Sequence, residues 1–383
     1  MHHREIFCNA PFTNVRIESQ TDRSVIFKPC CVYQEQASIP TLNDFLVGKE
    51  MQDLRRNMLE GTVPDAGCVN CSVPESMGLT SIRKQLLNQP WASADKKTYT
   101  LEIFFGNTCN LGCAMCAAEV SSYAAEERYQ AGIMPIRPLI ADNIQIALDT
   151  IDQLPDLKSV TFIGGEFFLV KRNIEILDKI IQRNIQCVIA TNATVLTEPL
   201  LHKLEQIHDL QIGISVDGTE DVYNFMRYPA DWHTLNRNID TLKQRIPWAD
   251  YSVRAVAQPL NVQNFHELFE WSNKKMLPFH YQALVTPEHL TWKILTPEEK
   301  HNLVKLLETK QSLEYKITNK QKNTINDFVN GIVQDEYDPQ LRTQGVEYLG
   351  KLFAHRKIST DAMLKQFGIF TNLANEIITA MKA

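Results

Sequence analysis

Three cysteines, Cys109, Cys113 and Cys116, form a C-x3-C-x2-C array. The array directly follows an apolar run from Thr100 to Phe105, whose pattern is typical of a β-strand. Cysteine thiolates bind soft metal ions and iron–sulfur clusters. A [4Fe–4S] cluster needs four ligands and this array supplies three, so one iron would remain open to another ligand. The alternatives are three unrelated cysteines or a zinc site that a distant residue completes.

Four further cysteines could form a second site within the first 96 residues. Cys8 precedes a predicted β-hairpin, and Cys30 follows the second strand of that hairpin. Cys68 and Cys71 form a C-x2-C pair. Four thiolates suit either a tetrahedral zinc ion or a fully ligated [4Fe–4S] cluster. The spacing alone favours zinc slightly, and Cys31 is the alternative to Cys30 as the hairpin ligand.

Composition excludes several classes of protein. Hydrophobic residues make up 44% of the 383 residues and charged residues 22%, which predicts a packed core rather than disorder. A formal net charge of -6 argues against a general nucleic-acid-binding protein. No run approaches the roughly 18 apolar residues of a membrane span, and no apolar segment follows the first residues as in a secretion signal. Nine cysteines without such a signal indicate reduced thiols and a cytoplasmic protein.

Six predicted strands alternate with helices from Lys97 onward. They cover residues 98–105, 159–163, 187–190, 211–216, 251–257 and 280–284. This alternation predicts an α/β fold with a parallel sheet and right-handed crossovers, and an open, partial (β/α)6 barrel fits it. The remaining pattern predicts a small module over residues 1–96, the barrel over 97–285 and a helical C-terminal extension over 286–383. Within the module it predicts a helix from about Thr41 to Glu60, and in the extension a helix that Thr296 caps.

Polar residues follow several of these strands, where barrel proteins place their sites. Gly164, Gly165 and Glu166 end the second strand, and Asn192 ends the third. A glutamate there could accept hydrogen bonds from an ammonium group, although a turn with a solvated acid is the commoner outcome for such a motif. Asn192 could equally bind a cofactor or cap its loop.

A second group follows the fourth strand. Ser215 and Asp217 belong to a Ser-Val-Asp-Gly run, and Arg227 follows nine residues after its glycine. An arginine suits the bidentate capture of a carboxylate, and a surface ion pair is the alternative. Val256 and Gln258 end the fifth strand and could touch a bound base, with core packing favoured for Val256.

The cysteine array resembles the signature of radical S-adenosylmethionine (SAM) enzymes, and the resemblance extends over about residues 5–285. In that family the open iron chelates the amino and carboxylate groups of SAM. An electron from the cluster cleaves SAM to methionine and a 5′-deoxyadenosyl radical, which abstracts a hydrogen atom from the substrate. Met115 stands where the family usually has an aromatic residue, and Phe167 where it usually has a proline.

The resemblance also implies roles for the polar residues. The Gly-Gly-Glu motif would hold the SAM amino group, Ser215 would lie near the methionine and ribose, and Arg227 would contact the carboxylate. The cofactor-binding set that follows is Gly164, Gly165, Glu166, Asn192, Ser215, Asp217 and Arg227.

The N-terminal cysteines resemble the twitch/SPASM module, which carries auxiliary iron–sulfur clusters and usually follows the barrel rather than preceding it. The resemblance implies a second [4Fe–4S] cluster held by Cys8, Cys30, Cys68 and Cys71, and with it iron–sulfur is favoured over zinc. Cys30 is chosen over Cys31 because it directly follows a proline, as in the module.

The function that the resemblance implies is an enzyme that cleaves SAM and abstracts a hydrogen atom from an unidentified substrate. The class of reaction stays open between oxidoreductase, epimerase and bond-forming transferase. Electrons would come from a flavodoxin or ferredoxin, and a ribosomally made peptide is favoured over a sugar or nucleotide as substrate. The alternatives are an iron–sulfur electron carrier or sensor without SAM chemistry, and a zinc-stabilised binding module.

Overall fold

The computed structural model describes residues 7–20, 24–33, 39–62, 67–76, 81–87, 99–104, 106–136, 144–312 and 317–382. These residues separate into two compact units. The first unit takes its residues from 1–107, 139–190 and 198–211, and the second from 108–138, 191–197 and 212–383.

The predicted α/β fold is confirmed, with eight strands in a mostly parallel sheet of order β2-β1-β3-β4-β5-β6-β7-β8. The strands are β1 (Asn14–Ser19), β2 (Val25–Lys28), β3 (Tyr99–Phe104), β4 (Leu157–Ile163), β5 (Gln186–Thr191), β6 (Leu210–Ser215), β7 (Asp250–Ala257) and β8 (Phe279–Ala283). Strands β3 to β8 are the six predicted from the alternating pattern. Residues 98 and 105 of the first predicted strand lie outside the described residues.

The hairpin of the first unit continues the sheet. Strand β1 pairs antiparallel with β2 and parallel with β3, with Asn14 opposite Thr100. Val15 and Ile17 of β1 are buried, so this strand is part of the core of its unit. The sequence predicted the hairpin but not its parallel pairing with β3.

The helices of the first unit are α1 (Ala10–Thr13), α2 (Leu42–Val47), α3 (Lys49–Glu60), α4 (Val69–Ser76), α5 (Ile82–Leu87), α7 (Ile144–Gln153), α8 (Asn173–Arg183) and α9 (Glu198–Leu204). A single helix predicted from Thr41 to Glu60 was wrong, because it is broken at Gly48. Gly48 has an extended backbone and is both the C-cap residue of α2 and the N-cap residue of α3. A Cβ atom there would collide with the carbonyl oxygen of Asp44.

In the second unit, β7 and β8 pair in parallel with Val253 opposite Phe279. Its helices are α6 (Ser122–Gln130), α10 (Glu220–Met226), α11 (Trp232–Arg245), α12 (Phe265–Lys274), α13 (Pro297–Ser312), α14 (Asn319–Gln334), α15 (Pro339–His355), α16 (Thr360–Phe367) and α17 (Thr371–Ala380). The predicted helical character beyond residue 286 is confirmed by α13 to α17. Thr296 caps α13 as predicted, since its hydroxyl accepts from the Glu299 amide.

Of the helices that the structure describes, none combines the length and the apolar character needed to cross a membrane.

The predicted boundary between residues 96 and 97 falls outside the described residues. The division into three segments therefore stays a prediction.

Candidate active site

Residues 109–116, here called the cysteine loop, lie in the second unit between β3 and α6 in the chain. Two of its amides bond to the segment that ends α10. Gly112 N donates to the Tyr228 carbonyl at 2.7 Å, and Ala114 N donates to the Met226 carbonyl at 3.0 Å. These backbone bonds fix the shape of the loop independently of any bound group.

The thiols of the loop differ in environment. Cys113 is buried, whereas Cys109 and Cys116 are half-buried. A hydrogen bond from Cys116 lowers the pKa of the Cys113 thiol, against the effect of burial, and raises the pKa of Cys116. Arg227 also favours the Cys113 thiolate, with its Nη1 atom 3.9 Å from Cys113 Sγ. The thiolate is the form of cysteine that binds metal, so this environment suits a ligand.

Arg227 is held by Asp217, another residue of the predicted set. The Nη2 and Oδ2 atoms are 2.7 Å apart, and Asp217 is fully buried. Burial raises the pKa of Asp217, while Arg227 and the Val256 amide, which donates at 2.7 Å, oppose that shift. Asp217 thus orients the guanidinium beside the Cys113 thiol.

Some buried side chains of this unit, among them Arg227 and Gln258, have polar atoms without a hydrogen-bond partner among the described residues. Arg227 Nε has no partner among the described residues, and neither polar atom of the Gln258 amide has one there. Gln258 is fully buried directly after β7. Buried polar atoms are costly when unpaired, so such atoms are candidates for contacts to a bound ligand.

Asn192 braces the start of the cysteine loop. Its Nδ2 atom donates to Asn110 Oδ1 at 3.0 Å and lies 4.0 Å from Cys109 Sγ. Thr194 completes the group, since its hydroxyl donates to Asn192 Oδ1 at 2.7 Å and accepts from Asn110 Nδ2 at 2.9 Å. Asn192 therefore contacts the cysteine loop, and its binding to a cofactor stays a prediction. Ser215 lies half-buried at the end of β6 in the same unit.

The Gly-Gly-Glu motif lies in the first unit after β4. Gly164 and Gly165 have φ angles of 80° and 46°, a region that favours glycine. A Cβ atom on Gly164 would also approach the Phe104 ring to 2.5 Å. Glu166 is buried and its Oε1 atom accepts from Phe168 N at 3.0 Å, capping a 3-10 turn. Its contact with the SAM amino group stays a prediction.

The N-terminal cysteines also lie in the first unit. Burial raises the pKa of both Cys8 and Cys30 to about 12. Cys68 and Cys71 raise the pKa of Cys8 further, and Cys31, Cys8 and Cys71 raise that of Cys30. Cys8 therefore interacts electrostatically with Cys68 and Cys71, and Cys30 with Cys31, Cys8 and Cys71, while a shared ligand set stays a prediction. Cys31 is exposed, yet it interacts with Cys71 as well.

Side-chain amides fix the backbone around these thiols. Asn14 Nδ2 donates to the Pro29 carbonyl at 2.7 Å, directly before Cys30. Asn70 Nδ2 donates to the Val32 carbonyl at 3.0 Å and so ties the C-x2-C pair to the end of the hairpin. Among the described residues, no three cysteine, histidine, aspartate or glutamate side chains are arranged to hold a single metal ion.

The sequence did not predict several side chains that donate to the cysteine loop, among them Arg128, Tyr348 and Arg356. Arg356 lies 244 positions from its partner Gly112, and Tyr348 lies 234 positions from Ala114. No local spacing pattern could have revealed contacts at such separations.

The chain is similar to known proteins over part of its length. Residues 103–271 match the model of the Radical SAM superfamily. An uncharacterized protein of Methanocaldococcus jannaschii is 29% identical over 122 residues, which are 30% of this chain and 37% of that protein.

Two solved structures align with larger shares of the chain. Streptococcus suis SuiB bound to S-adenosylmethionine aligns at 12% identity and a TM-score of 0.38, over 62% of this chain and 49% of SuiB. Native anSMEcpe with bound AdoMet aligns at 16% identity and a TM-score of 0.42, over 62% of this chain and 63% of anSMEcpe. The chain thus spans less than two thirds of each of these proteins. The family model thus matches the part of the chain from residue 103 to residue 271, which includes the cysteine loop.

Proposed function

We propose that this protein is a radical SAM enzyme, which reductively cleaves SAM and uses the resulting radical to abstract a hydrogen atom from a substrate. The observation that carries the proposal is the cysteine content of the second unit. Of the nine cysteines in the sequence, only Cys109, Cys113 and Cys116 fall within its residue ranges. A [4Fe–4S] cluster held there has three thiolate ligands and keeps one iron for SAM.

The residues of the site fit such a cluster. Cys113 lies beside Arg227, whose positive charge favours the thiolate, and the loop amides are fixed by backbone bonds. When bound, the cluster supplies one electron that breaks a carbon–sulfur bond of SAM to give methionine and a 5′-deoxyadenosyl radical, and this radical takes a hydrogen atom from the substrate.

The chain's own residues bind and orient SAM. Glu166 accepts hydrogen bonds from the SAM ammonium group, because a buried carboxylate is a strong acceptor for a cation. Arg227 donates to the SAM carboxylate through its Nε atom, which has no partner in the described part of the chain. Asn192 acts on SAM through the cysteine loop, and Asp217 acts through Arg227. The complete set we assign to SAM is Gly164, Gly165, Glu166, Asn192, Ser215, Asp217 and Arg227.

Cys8, Cys30, Cys68 and Cys71 hold a second [4Fe–4S] cluster in this proposal. Their donor type and number suit a fully ligated cluster, and their mutual charge effects support a common neighbourhood. Four protein ligands leave no iron open, so this cluster would pass electrons or help to bind substrate rather than cleave SAM.

For the substrate we assign a ribosomally made peptide, on the resemblance to twitch/SPASM enzymes, and for the reductant a flavodoxin or ferredoxin. The experiment that tests the proposed function is anaerobic incubation of the iron-loaded protein with SAM and a reductant. We expect 5′-deoxyadenosine and methionine in equal amounts. An iron–sulfur electron carrier or sensor would bind its clusters and release neither product.

A further inference from the structure

Three successive carbonyl groups of the cysteine loop, those of Gly112, Cys113 and Ala114, accept hydrogen bonds from side chains that lie outside the loop. The donors are Arg128 of α6, Tyr348 of α15 and Arg356, which directly follows α15. Helices α6 and α15 also pack against each other in the second unit. Two of the three donors therefore come from the C-terminal helices, more than 200 positions away in the sequence.

Arg356 joins the loop to a buried carboxylate. Its Nη2 atom donates to the Gly112 carbonyl and, at 2.8 Å, to Glu127 Oε2, while Nε donates to Glu127 Oε1 at 2.8 Å. The side chains of Arg356 and Glu127 are 1% and 3% exposed. The guanidinium carbon lies 4.7 Å from the centre of the Tyr228 ring, and the carbonyl of Tyr228 accepts from the Gly112 amide. Both the amide and the carbonyl group of Gly112 are thus held by hydrogen bonds within this one group of residues.

Arg128 and Tyr348 hold the next two carbonyls. Arg128 Nη2 lies 3.3 Å from the Cys113 oxygen and 3.4 Å from the Ala114 oxygen. Tyr348 Oη accepts from Arg128 Nε at 2.7 Å and donates to the Ala114 carbonyl at 3.0 Å. The phenol therefore completes a closed set of hydrogen bonds between the two helices and the loop.

Two features make these contacts more than general packing. Both arginines bring positive charge to the backbone that carries Cys113, the thiol that Arg227 also approaches. The contacts also occupy the carbonyl groups of Cys113 and of its two neighbours, in the middle of the loop rather than at its ends. A change in any donor would shift the peptide planes that set the direction of the Cys113 side chain.

We propose that Arg356 and Tyr348 are positioning residues, through which the C-terminal helices hold the cysteine loop in the shape that binds the SAM-cleaving cluster. This inference rests on the proposed function for the identity of the cluster. The loop contacts themselves do not depend on it. Neither residue touches SAM or substrate in this account, and both act only through the Gly112, Cys113 and Ala114 carbonyls.

The test uses the full chain with three variants and one matched control. Arg356→Met removes the cation, Arg356→Lys keeps the charge but not the paired hydrogen bonds, and Tyr348→Phe removes only the hydroxyl. Arg342→Met is the control, because Arg342 is an equally buried arginine of α15 whose partners are Glu299, Glu376 and the Ile294 carbonyl. It perturbs the same helix without touching the loop.

The first measurement is amide hydrogen exchange of residues 109–116 in the iron-free protein. We expect exchange about ten-fold faster or more in Arg356→Met, because that variant loses the hydrogen bond of a charged group to the loop. In Tyr348→Phe we expect exchange about five-fold faster, because the hydrogen bond lost there is that of a neutral hydroxyl. Arg342→Met should leave loop exchange at the parent rate once corrected for global stability. Equal loop exchange in parent, Arg356→Met and Tyr348→Phe would overturn the proposal, as would equal acceleration in Arg342→Met.

The second measurement is the electron paramagnetic resonance signal and midpoint potential of the reduced cluster that responds to added SAM. Arg356→Met should lower that potential, because a cation near the cluster stabilises its more negative, reduced form. Arg356→Lys should keep the potential and still loosen the loop. An unchanged potential and signal in Arg356→Met would contradict the proposal. A parent protein that cleaves no SAM refutes the proposed function instead, and the exchange result stands separately.

Discussion

Asp217 and Arg227 form a buried ion pair, with 2.7 Å between Oδ2 and Nη2, and the same guanidinium lies 3.9 Å from Cys113 Sγ. The side chain of Asp217 is 0% exposed and that of Arg227 is 10% exposed. A carboxylate is thus paired with a cation that also faces a thiol of the cysteine loop. This arrangement links the Ser-Val-Asp-Gly run after β6 to the loop that we assign to the cluster.

The ion pair predicts a large loss of stability for Asp217→Asn. Removing one charge leaves Arg227 buried without its counter-ion, which costs about 3–5 kcal/mol in the free energy of unfolding. Denaturant unfolding of the iron-free protein measures the loss. Asp221→Asn is the matched control, since Asp221 pairs with Lys365 where both side chains are 75% exposed. That variant should lose less than about 1 kcal/mol. Equal losses in the two variants would show that the buried pair has no special role.

Gly112→Ala should damage the cysteine loop. A Cβ atom there would lie 2.6 Å from Glu127 Oε2 and 2.9 Å from Tyr123 Cδ1. We expect lower stability and loss of about four irons, the content of one cubane, on reconstitution. Gly331→Ala in α14 is the control, for which we expect a gain rather than a loss of stability, because a Cβ atom there meets nothing within 4 Å among the described residues. That change should stabilise the protein by about 0.5–1 kcal/mol. A Gly112→Ala variant as stable and as rich in iron as the parent would refute the prediction.

Iron content separates the two cysteine groups. The anaerobically prepared parent should hold about eight irons, from two cubanes. Replacing Cys109, Cys113 and Cys116 together with alanine should leave about four, the content of the remaining cubane. Cys31→Ala should keep all eight, because Cys30 is the assigned ligand. Stoichiometric zinc without iron would reject both clusters, and loss of iron in Cys31→Ala would reassign the hairpin ligand.

Glu166→Gln tests the assigned contact with the SAM ammonium group. Glutamine keeps an oxygen that can accept from Phe168 N, so the 3-10 turn should survive. It loses the negative charge, and the dissociation constant for SAM should rise about ten-fold or more. Calorimetric titration of the iron-loaded protein measures the constant, and iron analysis checks that both clusters remain. Equal SAM affinity in variant and parent would remove Glu166 from the site.

The sequence predicted those parts of the fold that depend on local patterns. The alternation of strands and helices is read within short windows, so β3 to β8 and the helices beyond residue 286 were predicted. The cysteine loop was also visible, because its ligands lie within eight consecutive residues. The break at Gly48 was missed, since a glycine in an amphipathic helix pattern can be tolerated or can end the helix.

Local sequence patterns could not predict the contacts between distant segments. The parallel pairing of β1 with β3 sets Asn14 opposite Thr100, and neither strand's sequence indicates with which strand it pairs. Arg356 and Glu127 are 229 positions apart, and each alone is indistinguishable from a surface charge. The same holds for Asp217 and Arg227 as an ion pair. A resemblance suggested that both matter, but not that they bind each other.

The most direct measurement is the rate of 5′-deoxyadenosine formation by two variants reconstituted under the same anaerobic conditions. One lacks the thiols of Cys109, Cys113 and Cys116, and the other lacks those of Cys68 and Cys71. We expect no product from the first variant. From the second we expect continued cleavage of SAM with about four irons bound, the content of one cubane. Product from the first variant, or its complete absence from a folded, iron-containing second variant, would contradict the claim that the three-cysteine loop alone cleaves SAM.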